Sequence, residues 1–88
     1  MVTKRKLYNG DIVKLRDGRM GYIALSPSPT VCIRGVAISS YNANMEEENC
    51  YSDVDVVSVF YTSKHTMEEI AEKYIALANE HDNGVWDE

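Results

Sequence analysis

NGDIVKLRDGRMGYIAL, residues 9–25, decides the fold. Asn9-Gly10 is a turn signal, and the apolar–polar alternation that follows has the period of a strand. In IVKLR, Val13 and Leu15 point one way while Ile12, Lys14 and Arg16 point the other. Asp17-Gly18 then suits a type I′ hairpin turn, because glycine tolerates positive φ. The return strand runs from about Arg19 to Leu25, and Gly21 inside it marks a bulge or the close approach of another backbone. A hairpin of this kind needs further strands or a helix on its apolar face.

Both are read further along. Ser26-Pro27-Ser28-Pro29-Thr30 ends the pair, since two prolines exclude regular strand pairing there. A third strand is expected at about Val31 to Ile38, with Gly35 as a sharp bend. Ser39 to Asn44 reads as a turn or a single helical turn, and Glu46-Glu47-Glu48-Asn49 as an acidic loop. Cys50 to Tyr61 contains DVDVVSVFY, whose β-branched content reads as strand. Val54, Val56 and Ser58 alternate there with Asp53, Asp55 and Val57.

The period then changes. Thr66 with Glu69 three residues on forms a capping box, and apolar residues recur at helical spacing over 66–82. The stripe Met67, Ile70, Tyr74, Leu77 and Ala78 faces the core or a second copy of the chain. Asn83-Gly84 is the expected stop. Trp86 is expected to pack on the barrel, the helix or another chain, and Tyr74 and Trp86 are the candidates for a contact between copies. The order predicts one α+β domain over residues 1–88. It is a small, partly open SH3-like antiparallel β-barrel of four to five strands (about 8–62), then one C-terminal amphipathic helix (66–82) and a tail (83–88).

Composition bounds the rest. The chain has 88 residues, 44% of them hydrophobic and 26% charged, which is enough for one modest core and too apolar for disorder. No apolar run approaches the ~20 residues of a membrane helix. The basic N-terminal stretch lacks the apolar segment of a secretory signal. With two cysteines and no CxxC, free thiols in the cytoplasm are the default. Cys32 in VCI reads as a core thiol, and a Cys32–Cys50 bridge stays open. The net charge of −5 is unevenly spread. Residues 1–34 carry seven Lys and Arg against two Asp, whereas residues 35–88 carry two Lys against twelve acids.

No catalytic motif emerges, so no enzyme activity and no cofactor are expected. Cys32, Cys50, His65 and His81 have spacings unlike a zinc ribbon or finger, so no metal site is expected. His81 continues the helix stripe as a half-buried packing residue, and His65 reads as an exposed loop residue. Asp53 and Asp55 share a strand face as a carboxylate pair or as a solvated strand end. Lys4-Arg5-Lys6, Lys14, Arg16 and Arg19, with Tyr8 and Tyr22, suggest a basic patch. Lys14, Arg16, Arg19, Arg34 and Tyr22 are its candidate nucleotide or nucleic-acid face. The acidic total opposes nonspecific binding to polyanions. Glu46, Glu47, Glu48, Asp53 and Asp55 form an acidic cluster. It is either a solvated loop or a face whose carboxylates stand in for DNA phosphates against a basic groove of a host protein.

NGDIVKLRDGRMGYI, SYNAN and DVDVVSVFY together resemble small uncharacterised proteins of phages and prophages of Firmicutes. The matching residues are Asn9, Gly10, Ile12, Val13, Leu15, Arg16, Asp17, Gly18, Tyr22 and Ile23, then Tyr41, Asn42, Asp55, Val56, Val57 and Val59. The likeness covers about residues 9–61. Asn44-Met45, the Ser-Pro-Ser-Pro loop and the helix depart from it. It implies a phage source and a small barrel, and it assigns no activity. By analogy with anti-CRISPR and other anti-defence proteins, the expectation is a non-enzymatic inhibitor in the host cytoplasm. It would bind a host defence or nucleic-acid-processing protein directly. The alternatives are an oligomeric sponge for a nucleotide immune signal and a nucleic-acid-binding accessory module.

Overall fold

A computed structural model describes residues 2–49 and 51–88. Five strands form one antiparallel sheet: β1 Ile12–Leu15, β2 Met20–Ala24, β3 Thr30–Cys32, β4 Val36–Ala37 and β5 Val56–Phe60. The spatial order is β4-β3-β2-β1-β5, so four strands meander and the fifth returns beside the first. The ladder ends at β4 on one side and β5 on the other, which leaves the sheet open. A single helix, α1, spans Met67–Ala78.

The β1–β2 turn is not the type I′ form expected at Asp17-Gly18. Gly18 alone in it has positive φ, at 92°, whereas a type I′ turn needs two such residues. Leu15 N–H donates to Arg19 O at 2.8 Å and Gly18 N–H to Leu15 O at 2.9 Å. The loop is therefore the three-residue form, a type I turn closed by a left-handed glycine. The third strand is likewise two. Ile33 and Gly35 take φ of 80° and 70° and turn the chain between β3 and β4. The segment expected as strand from Cys50 begins as strand only at Val56, after a 3-10 turn at Ser52–Val54. Cys50 itself lies outside the described residues. Ser39-Ser40 belongs to another 3-10 turn, Ile38–Ser40.

Alternation divides the strands between two faces. Val13, Leu15, Ile23, Val31, Val56 and Val59 pack on one side with Tyr41, Met45 and Tyr61. Ile12, Met20 and Phe60 are buried on the other, towards α1. In the β1–β5 ladder, Lys14 pairs with Ser58 and Leu15 with Val56, so Val57 bulges out. Gly21 sits where a Cβ would stand 2.5 Å from the Cys32 carbonyl oxygen, so the close approach expected of it is between neighbouring strands.

The capping box at Thr66 and Glu69 is formed, with the Thr66 N–H donating to Glu69 Oε1 and the Glu69 N–H to Thr66 Oγ1. The helix stops four residues short of the expected end. Glu80 is left-handed at φ 51°, and the N–H groups of Glu80 and His81 donate to the Leu77 and Ala76 carbonyls. That is a Schellman closure with glutamate in the usual glycine position. The buried stripe also differs. Lys73, Ala76 and Leu77 are buried, Ile70 and Tyr74 half-buried, and Ala78 and Met67 exposed, Met67 to 81%. Lys73 turns inward because its ammonium is met there. It donates to Asn83 Oδ1 at 2.7 Å and Val85 O at 2.5 Å, and it lies 3.6 Å from the centre of the Trp86 ring. The tail after α1 folds back along β5, where Val59 N–H donates to Glu88 O and Asp87 N–H to Val59 O.

Candidate functional site

Two charged surfaces form at opposite ends of the β1–β5 ladder. The first lies where β1 finishes and β5 begins. Asp55 is buried there, accepting from Glu47 N–H at 2.6 Å and from Arg16 Nε and Nη2 at 3.3 and 3.1 Å. Half-buried Glu47 accepts the N–H groups of Asn49 and Tyr51 on Oε2, both at 2.9 Å. Tyr41, buried beneath, donates from its hydroxyl to Val54 O at 2.7 Å. Burial first, and then Asp55 and Glu47, push that hydroxyl up to about 12. Of the five acids singled out in the sequence, Asp55 and Glu47 are thus spent on shaping the loop. Glu46, Glu48 and Asp53 are exposed, and Tyr51, between Glu48 and Asp53 in the chain, is 65% exposed. Asp53 and Asp55 do not act as a pair, since one is solvated and the other held by Arg16.

The cations proposed for a nucleotide do not gather. Lys14 binds Asp82 at 2.8 Å, Arg16 binds Asp55, and Arg34 lies 3.4 Å from Asp17. Hydrogen bonds from Lys14, from the Gly84 N–H and from the Trp86 indole outweigh burial and hold Asp82 down to about 2. Arg19 is exposed at the rim of a 580 Å³ hollow, but Asp17, Glu80 and Asp82 line the same hollow. Tyr22 faces α1, 6.2 Å from Tyr74 between ring centres. The hydroxyl of Tyr74 donates to Gly10 O. Trp86 is half-buried over Lys73, its indole N–H on Asp82 Oδ1 at 2.9 Å. The two residues named for a contact between copies therefore both make contacts within the chain.

The histidines exchange their expected places. His65 stacks on Phe60 at 4.0 Å between ring centres and meets Asp87 at 2.9 Å, because the returning tail covers it. His81 is exposed, because α1 has ended before it. Cys32 is half-buried beside Tyr22. Among the described residues no three metal-ligating side chains gather.

The second charged surface opens where β1 begins and β5 finishes. Asp11 ties the segments there, accepting the N–H groups of Tyr8 and Thr62. A 320 Å³ hollow is lined by Arg5, Lys6, Tyr8, Ser63 and Lys64, with Tyr61 and Glu88. Arg5, Lys6 and Tyr8 belong to the basic run legible in the sequence. Lys64 and Ser63 are brought in by the 3-10 turn Thr62–Lys64, which local sequence does not place.

Comparison with known protein families, with curated proteins and with solved structures finds no match to this chain. The exposed groups at the two surfaces are carboxylates, cations and phenol rings.

Proposed function

We propose that this is a phage-encoded, non-enzymatic protein that inhibits a host defence or nucleic-acid-processing protein by binding it. The binding face is the loop that presents Glu46, Glu48, Asp53 and Tyr51, and it enters a basic groove of the target. One observation carries this reading: Tyr51 is 65% exposed, near exposed Glu46, Glu48 and Asp53 in the chain, and its backbone is braced by Glu47, which Asp55 holds in turn. A braced loop loses little freedom on binding. Tyrosine is one of the residues enriched at the energetic centres of interfaces, and the carboxylates steer it towards a basic partner. The scaffold is read as SH3-like and opened at one seam. In support, β5 returns beside β1 directly after the 3-10 turn Ser52–Val54. The phage source and the cytoplasmic setting rest on the sequence resemblance. Among the described residues no helix is long and apolar enough to cross a membrane.

The test is affinity capture from bacterial lysate with the wild-type chain and with a variant carrying Glu46→Ala, Glu48→Ala, Tyr51→Ala and Asp53→Ala. The wild type is expected to retain a nucleic-acid-binding protein that salt elutes and that loses activity when bound. The variant, with an unchanged circular dichroism spectrum, is expected to retain none. Equal capture and equal inhibition by the variant would overturn the assignment.

A further inference from the structure

The hollow at the other end of the ladder has a different chemistry. Arg5 and Lys6 come from the 3-10 turn Lys4–Lys6, and Lys64 and Ser63 from the turn Thr62–Lys64. Neighbouring basic groups in these segments are already committed. Lys4 donates from Nζ to Tyr41 O at 2.9 Å, and His65 is engaged by Asp87. Arg5, Lys6 and Lys64 are exposed and have no carboxylate within ion-pair distance among the described residues. Tyr8 beside them is 64% exposed. One anion already occupies the wall. The Tyr61 hydroxyl donates to Glu88 Oε2 at 2.6 Å. The hydrogen bond from that hydroxyl outweighs burial and, with smaller contributions that include the charges of Lys6 and Lys64, holds the Glu88 carboxyl below its ordinary range.

We infer that this hollow binds a small nucleotide, its phosphates between Arg5, Lys6 and Lys64 and its base against the ring of Tyr8. The size fits, since 320 Å³ lies at the small end of the range for organic ligands, about 300–1,000 Å³. The donor set fits as well. Guanidinium and ammonium groups bind phosphate oxygens with charge-assisted hydrogen bonds, the Ser63 hydroxyl adds a neutral donor, and an exposed phenol ring is a stacking platform for a base. A long strand is disfavoured, because its further phosphates would meet a chain of net charge −5. In this arrangement Glu88 is the resident counter-charge with which a phosphate competes. The inference stands apart from the protein-binding face, which lies at the other end of the ladder, and either can fail alone.

Isothermal titration of the full chain with ADP tests it, with adenosine, inorganic phosphate and a short oligothymidylate as separate probes. ADP is expected to bind at one site per chain with a Kd below about 1 mM. Adenosine and inorganic phosphate alone are expected to bind at least about tenfold more weakly, because each supplies half of the contacts. The variant Arg5→Ala, Lys6→Ala, Lys64→Ala should lose binding, and Tyr8→Ala should weaken it about tenfold. Glu88→Gln keeps an acceptor for Tyr61 but removes the charge, and it should tighten binding several-fold. This variant keeps the test decisive even if the triple variant fails to fold. No saturable binding of ADP would overturn the inference. So would affinity unchanged by all three variants, phosphate binding as tightly as ADP, or the oligonucleotide binding more tightly than ADP.

Discussion

At Gly21 a single methyl group decides between a sheet and a clash. The Cys32 carbonyl belongs to the paired strand and cannot withdraw without breaking the β2–β3 ladder. Gly21→Ala is therefore expected to cost about 2–3 kcal/mol, at the upper end of the range for overpacking, read as a lower denaturant midpoint. A glycine inside an alternating strand was itself the signal, and so this constraint was legible. Lys73 was not. A lysine among helix residues reads as solvent-facing, and the groups that draw it inward lie ten to thirteen residues away in a segment without regular structure. The same tail reverses the reading of His65. Exposure of a side chain depends on what later folds over it, and no local pattern encodes that.

Elements were legible where a local signal and the tertiary outcome agree. The Asp17-Gly18 hairpin and the capping box of α1 carry their own turn or start chemistry, and the β-branched run of β5 marks the strand but not its start at Val56. They failed to be legible where a side chain occupies a backbone region it rarely adopts. Val31 to Ile38 reads as one strand bent at Gly35, yet the turn also places β-branched Ile33 at φ 80°. The end of α1 escapes the sequence for the same reason, since a glutamate stands where a glycine would announce the stop. Glu80→Gly is accordingly expected to stabilise the fold by about 1 kcal/mol, by removing the cost of a left-handed glutamate. Thermal unfolding would read this as a higher midpoint, and a lower midpoint would mean that the Glu80 side chain contributes more than its backbone conformation costs. Of the acidic surface, the sequence pattern exposed the charges but not their division of labour, because burial of Asp55 depends on its meeting with Arg16 across the sheet.

Taken whole, the molecule is a sheet covered on one face by a helix, with the tail strapping helix and sheet together. Asp82 anchors that strap through Lys14, the Gly84 N–H and the Trp86 indole. Its folded-state pKa of about 2 lies below the unfolded value of about 3.9. The folded protein thus binds fewer protons there, and the stabilisation is complete above the unfolded value. It is lost as pH falls from about 4 through about 2. Asp87 shifts downward too. Burial alone would raise it, but the Tyr61 N–H and His65 outweigh that. Allowing for partial solvent screening, Asp82 contributes roughly 1–2 kcal/mol at neutral pH. Urea melts of wild type and Asp82→Asn should differ by about that much at pH 7 and converge near pH 2; a gap independent of pH would show that the charge of Asp82 is not what secures the tail. Trp86 is the chain's only tryptophan, and it rides on the strap rather than in the sheet. Its fluorescence is therefore an intrinsic reporter of tail docking, and a change in emission can register the tail lifting while far-ultraviolet dichroism still records an intact sheet.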